Sequence, residues 1–165
     1  MAERIKNNAD ELPVDQWLSY RFGLLGAQIG RFALPMYKKK HRLNMAMWRT
    51  LAVTARFQPL SSKALGEHSS LDPFSVARAI DALRKRGLIN RNIDPADKRR
   101  VILTTTKKGD AIYHDVARFA YNVEQALTSD LTKREKESFD RILSKIERRI
   151  SEMTAQSDWK DYFEG

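Results

Sequence analysis

Arg99 stands between Lys98 and Arg100 at the end of Asp94-Pro95-Ala96-Asp97-Lys98-Arg99-Arg100, and Pro73, Phe74, Ser75, Ala77 and Arg78 cluster a short way upstream. Forked guanidiniums, an ammonium group and small polar side chains at this density suit contact with the phosphates and base edges of a nucleic acid. Arg78 can form a bidentate pair with guanine or bind phosphate, and Phe74 can press on a thymine methyl or pack under the preceding turn. Arg99 suits the negative potential of a narrow minor groove, whereas Lys98 and Arg100 suit phosphates. Ser61 and Ser62, at the start of another short segment, are further candidate contacts. Carboxylates facing DNA would be repelled, so Asp94 and Asp97 are expected as internal salt bridges or turn caps.

Those side chains need a helix and a hairpin to present them. Asp72 is a good N-cap, Pro73 fits the first helical position, and Val76, Ala79, Ile80 and Leu83 recur at i, i+3, i+4 and i+7. The pattern predicts a helix over 72–86, its last turn Arg84-Lys85-Arg86 matched to the helix dipole and Gly87 ending it. The β-prone runs 88–93 and 101–105 then flank the basic loop, which makes a hairpin with a long cationic tip. Upstream, Leu60-Ser61-Ser62 reads as a small edge strand, a serine caps a brief helix from Lys63 to Ser69, and Ser69-Ser70-Leu71-Asp72 forms a tight polar turn. Helix, turn, helix and basic hairpin in this order make a winged helix-turn-helix, expected over residues 38–108.

The flanking segments have a different task. Pro13 opens a long helix whose Leu18, Phe22, Leu25, Ile29, Phe32 and Met36 form a seven-residue seam. Pro35 is expected to kink or end it, leaving Lys38-Lys39-Lys40-His41-Arg42 as a basic connector. Gly26 and Gly30 are either a close backbone contact or simply tolerated. Asn44 caps a second helix with Trp48, Leu51, Ala52 and Ala55 on its apolar face. Gly109 precedes a helix carrying Ile112, Val116, Phe119, Ala120, Val123 and Leu127. Thr132 and Glu135 form a capping box for another, with Phe139, Ile142, Leu143, Ile146, Ile150 and Met153 along one seam. Segments 13–36 and 109–153 thus hold more apolar face than a small basic lobe could cover, which predicts a homodimer and a palindromic DNA site. Residues 1–12 read as a polar arm. The tail 154–165, with Trp159, Tyr162 and Phe163, is either a frayed end or docked on the body or partner.

Charge follows the same division. Residues 38–108 hold 17 Lys/Arg against 5 Asp/Glu, net +12, while the remainder has 13 against 16. A basic middle between mildly acidic ends fits a polyanion-binding lobe on helices with another job, or else a solvated charged face. There is no cysteine, no Gly-rich phosphate loop, and His41, His68 and His114 lack metal-ligand spacing. No catalytic centre, metal or cofactor is therefore expected. With no apolar leader and no run long enough to span a membrane, the expected location is cytoplasmic.

Over residues 43–109, and more loosely along nearly the whole chain, the sequence resembles the MarR family of bacterial transcription regulators. Leu43-Asn44-Met45-Ala46-Met47-Trp48, Leu60-Ser61-Ser62-Lys63-Ala64-Leu65-Gly66, the run from Val76 to Ile89 and above all the loop 94–100 carry the likeness. It implies a mainly α fold with a small β-hairpin wing, in the order helix, helix, strand, helix, helix, strand, strand, helix, helix. It also implies a dimer held by terminal helices, a major-groove helix at 72–86, and a wing whose Arg99 enters the minor groove beside an acid, Asp97, that helps hold the wing. Phe74 departs from the small hydroxyl residue common there, and Thr105 from the usual Leu.

The resemblance further implies a small-molecule pocket where the dimerisation helices meet the DNA lobe, often for aromatic acids or phenolic compounds. Trp17, Tyr20, Arg21, Trp48, Arg49, Tyr113 and His114 are the candidates here, although a Trp on a helix face is more often core. Aromatic walls beside a cation suit an aryl carboxylate, or an aryl-CoA thioester whose phosphates could use Arg21, Arg31 or Lys38–Lys40. The expected function is a sequence-specific DNA-binding regulator, a repressor released by such a ligand. The alternative is a winged helix that serves only protein contacts.

Overall fold

The computed structural model describes residues 13–95, 97–99, 101–156 and 158–162. Cα packing divides the chain into two units, Phe22–Asn122 and a terminal unit made of Met1–Arg21 with Val123–Gly165. The helices are α1 (Leu18–His41), α2 (Met45–Phe57), α3 (Ser62–Ser69), α4 (Pro73–Lys85), α5 (Lys107–Leu127) and α6 (Lys133–Gln156). Strands β1 (Ile89–Ile93) and β2 (Val101–Thr105) pair antiparallel from Ile89↔Thr105 to Ile93↔Val101. Among the described residues, no helix is long and apolar enough to cross a membrane.

In the Phe22–Asn122 unit the core forms where α2, α3, α4 and the hairpin meet. Leu43, Leu51, Leu65, Leu83, Leu88, Leu103 and Val116 are fully buried there. The periodic stripe of α4 is the buried one, with Val76, Ala79, Ile80 and Leu83 inward, and Asp72 caps the helix by accepting from Ser75 N–H at 2.9 Å. The positive φ of Gly87, +65°, closes the helix, and Leu88 N–H returns to Leu83 C=O at 3.0 Å. A left-handed residue at this point lets the chain turn straight into β1.

Four local expectations need correction. Pro35 does not end α1, which runs on to His41. Burial of Ala33 and Tyr37 on either side of the proline outweighs its lost backbone hydrogen bond, so Lys38-Lys39-Lys40 form a helical last turn and not a connector. Pro13 opens only a 3-10 turn, Val14–Gln16, and Trp17 is extended before α1 begins. In α2 the buried face is Met47, Thr50, Leu51 and Thr54, with Trp48 half-buried. Reading threonine as polar misplaced that face, because Thr54 satisfies its hydroxyl on Thr50 C=O at 2.7 Å and can be buried. Finally, α5 starts before Gly109, at Lys107, with the Thr106 hydroxyl accepting from Gly109 N–H at 3.0 Å.

The expected edge strand shrinks to a single residue. Leu60 bridges Leu103, with N···O distances of 3.3 and 2.8 Å, and Ser61 has already become the N-cap of α3, its Oγ accepting from Ala64 N–H.

In the terminal unit, Glu135 accepts from Thr132 N–H at 2.7 Å and Thr132 Oγ1 accepts from Glu135 N–H at 3.4 Å, the reciprocal pair of a capping box, and the Thr132 hydroxyl also donates to the Glu135 carboxylate at 2.7 Å. Hydrogen bonds from Thr132 hold the Glu135 carboxyl below its ordinary pKa. Helix α6 buries none of its residues in the single chain, and Phe139, Ile142 and Ile150 remain more than half exposed. Trp159 and Tyr162 stand in a short 3-10 turn; Phe163 and the arm 1–12 lie outside the described residues.

Candidate nucleic-acid interface

The stripe that α4 buries dictates what it shows. Pro73, Phe74, Ala77 and Arg78 are exposed and Ser75 is half-buried, so the residues predicted to meet base edges share one outward face and first turn. Phe74 does not pack under the preceding turn: it is 70% exposed, and the Arg78 guanidinium lies 5.6 Å from its ring centroid. This exposed cation–π contact, worth about 0.5–1 kcal/mol, restrains both side chains along the helix before any partner arrives. Asp72 is engaged by the same turn, and hydrogen bonds from Ser75, hydroxyl first and N–H second, hold its carboxyl below the ordinary value.

Open clefts flank α4 on both sides. One, of about 510 Å³, is bordered by Ser62, Lys63, Leu71, Pro73, Ala77 and Arg91. The other, of about 600 Å³, is bordered by Asn44, Met47, Ser75, Arg78 and Lys85. Ser62 at the first turn of α3 thus shares a cleft with the outward Pro73 and Ala77 of α4, next to the capping Ser61. On the wing, Asp97 Oδ1 accepts from Arg99 N–H at 3.0 Å, the turn cap expected of that acid, and Lys98 and Arg99 are exposed. Arg100 lies outside the described residues.

Of the eight predicted ligand residues, the structure brings three together. Trp48 stacks on Tyr113 with centroids 6.2 Å apart, and Tyr113 meets His114 at 5.3 Å. Arg31 and Arg49 are exposed elsewhere on the same unit; Trp17, Tyr20 and Arg21 are exposed on the terminal unit. None of the eight borders either cleft beside α4.

Sequence reasoning missed several members of this neighbourhood. Tyr37 is buried, stacks on Trp48 at 5.6 Å and meets Phe119 edge-on at 6.3 Å; burial raises its phenol pKa. Only continuation of α1 through Pro35 would have revealed it, since four residues separate Ala33 from Tyr37 on one face. Asp115 was also missed. It sits 2.7 Å from Lys40 Nζ and 2.6 Å from His41 Nε2, and hydrogen bonds from Lys40, then His41, hold its carboxyl below the ordinary value.

Comparison with known proteins agrees with this arrangement. Residues 43–101 match the model of the MarR family. A proposed transcriptional regulatory protein for the hcr operon of Thauera aromatica is 27% identical over 109 residues, 66% of each chain and so just under two thirds of that relative. A MarR/EmrR family transcriptional regulator from Acinetobacter sp. ADP1 superposes with a TM-score of 0.78 at 22% identity, covering 86% of this chain and all of that one. MepR of S. aureus, solved as a DNA complex, gives 0.72 at 18% identity over 84% and 99%. At these identities the structures establish a shared fold. The MarR family model thus matches the helix-turn-helix and hairpin, and the winged helix-turn-helix fold of these solved structures extends along most of the chain.

Proposed function

We propose that the chain is a homodimeric repressor that reads a palindromic operator through α4 and its wing, and that a small aromatic acid or an aryl-CoA thioester releases it. One observation carries the DNA reading: Pro73, Phe74, Ala77 and Arg78 share the outward face, with half-buried Ser75 in the first turn, of a helix whose opposite face is core, beside a turn that Asp97 shapes around Arg99. Lys98, Arg100, Ser61 and Ser62 supply phosphate contacts around these. Segments 13–36 and 109–153 are the dimerisation region, and the apolar seam of α6, uncovered in one chain, supports pairing with a second copy. The stacked Trp48 and Tyr113, with His114 tilted beside Tyr113, support an aryl group as the releasing ligand, with Trp17, Tyr20, Arg21, Arg31 and Arg49 as further candidates.

Selection from randomised duplexes tests the operator, followed by fluorescence anisotropy on enriched and scrambled sequences. Specific binding should exceed non-specific binding by about 10³ or more at physiological salt. Failure to enrich any sequence, with equal affinity for all duplexes, would end the reading. Thermal-shift screening of aromatic acids and their CoA thioesters, then DNA release by those that stabilise the protein, tests the effector.

A further inference from the structure

Thr105 ends β2, and its backbone and side chain join three elements. Its N–H donates to Gln58 Oε1 at 2.7 Å, just past the end of α2. Its hydroxyl lies 3.0 Å from the same oxygen and donates to the Asp110 carboxylate in the first turn of α5. On this edge of β2 the backbone pairs at Leu103, with Leu60, so two residues later the Gln58 side chain supplies the acceptor that a longer third strand would have offered. The neighbouring residue is held as well: Thr106 N–H bonds Leu88 C=O at 3.0 Å, and its hydroxyl bonds Gly87 C=O at 2.8 Å.

The wing is a lever fixed at this root. Five residues of β2 reach roughly 16 Å from root to tip, so a tilt of about 10° at Thr105 would sweep the tip by about 3 Å, the length of a hydrogen bond. The tip's own turn, Asp97 to Arg99 N–H, shapes the loop but does not orient the hairpin against the body. Orientation has to come from the root, where Gln58 restrains β2 from α2 and Asp110 restrains it from α5.

We propose that Thr105, acting with Gln58 and Asp110, is a positioning residue that sets the angle at which the wing presents Arg99 to the minor groove. The role rests on the proposed reading of DNA by the wing. It gives Thr105 a polar task that an apolar side chain cannot perform.

Thr105→Val keeps shape and β propensity and removes only the hydroxyl, while Thr105→Ser keeps the hydroxyl. Operator affinity is measured by anisotropy for both, for Arg99→Ala, and for the Thr105→Val/Arg99→Ala pair, with melting temperature followed alongside. Thr105→Val should weaken operator binding about tenfold, the equivalent of ~1.4 kcal/mol, and abolish any preference for A·T-rich flanks. Thr105→Ser should restore both. In the paired variant Arg99→Ala should cost nothing further, because the wing no longer delivers it. Independent, multiplying losses would overturn the proposal, as would equal weakening on operator and random duplex together with a lowered melting temperature. Hydrogen exchange over residues 89–105 without DNA separates this from failure of the DNA reading itself. Exchange left unchanged by Thr105→Val overturns the node whatever the protein binds.

Discussion

The guanidinium of Arg86, at the C-cap of α4, donates to the carbonyl oxygen of His41 at the end of α1, at 2.5 Å. Its other terminal nitrogen reaches Arg42 C=O at 2.9 Å. One side chain therefore satisfies two carbonyls left open where α1 stops, next to Arg42, whose φ of 51° lies in the left-handed region that non-glycine residues seldom adopt. Arg86→Ala should destabilise the protein by about 1–3 kcal/mol, and Arg86→Lys should recover only part, since an ammonium cannot reproduce the fork. Urea unfolding measures both, and an unchanged midpoint in Arg86→Ala would show that the cap contributes nothing.

Asp115 predicts an acid-side pH dependence. Its folded-state pKa lies below the ordinary 3.8 because Lys40 and His41 hydrogen-bond to the charged form. The pairing therefore contributes stability that is fully present above about pH 5 and is lost as pH falls through the depressed value. Asp115→Asn should be less stable than wild type near neutrality, and the gap should close below about pH 4. Melting temperatures across that range check the sign; a gap that widens in acid would contradict the assignment.

Helix α4, the hairpin and the capping box of α6 were legible because each is encoded locally, by a cap, a stripe or a turn residue. Asp72, Gly87 and the Thr132–Glu135 pair needed no tertiary information. Tyr37, Asp115 and Arg86 were not legible, since their roles depend on α1 continuing through Pro35 and on partners many residues away. Thr105 stood out as a departure from the family but offered no sign of Gln58 or Asp110 as its partners, because side-chain bridges between elements leave no period in a sequence. The outward residues of α4 could be listed beforehand because a buried stripe fixes its own complement.

Gly109 marks a close approach that glycine alone permits. A Cβ at this position would lie 2.0 Å from Leu88 C=O, a backbone atom that cannot rotate away. Gly109→Ala should force α5 off the hairpin root and cost about 1–3 kcal/mol, several degrees in melting temperature for a chain of this size. Calorimetry would reveal it, and an unchanged melting temperature would mean that the approach relaxes freely.

Pairing of two copies through α6 predicts a coupled loss. Ile146 is half-buried in the single chain, one turn from the exposed Ile142 and Ile150. Ile146→Glu places a charge in that seam and should give a folded monomer by light scattering. Operator affinity should fall by about 10² or more as bivalent contact is lost. A dimer that survives the charge would place the interface elsewhere.

The contact between Phe74 and Arg78 yields the sharpest test of base reading. In the free protein the guanidinium rests over the ring at 5.6 Å, with both groups in solvent, so neither is needed for the core. Arg78→Ala should leave the melting temperature within about 0.5 kcal/mol of wild type in stability, as expected for a surface site. If Arg78 pairs with guanine, its loss should cost about 1–3 kcal/mol on the operator, and should fall to nothing once that guanine is replaced. A phosphate contact predicts instead an equal loss on every duplex and a salt slope smaller by about one. Phe74→Ala separates the ring's two roles: contact with a thymine methyl makes its cost vanish on a thymine-to-uracil operator, whereas a ring that merely orients Arg78 loses its effect in the Arg78→Ala background. Anisotropy on four duplexes with the two single variants and the double variant distinguishes these outcomes. Additive, sequence-independent losses would leave α4 as a basic surface without a base-specific role for either residue.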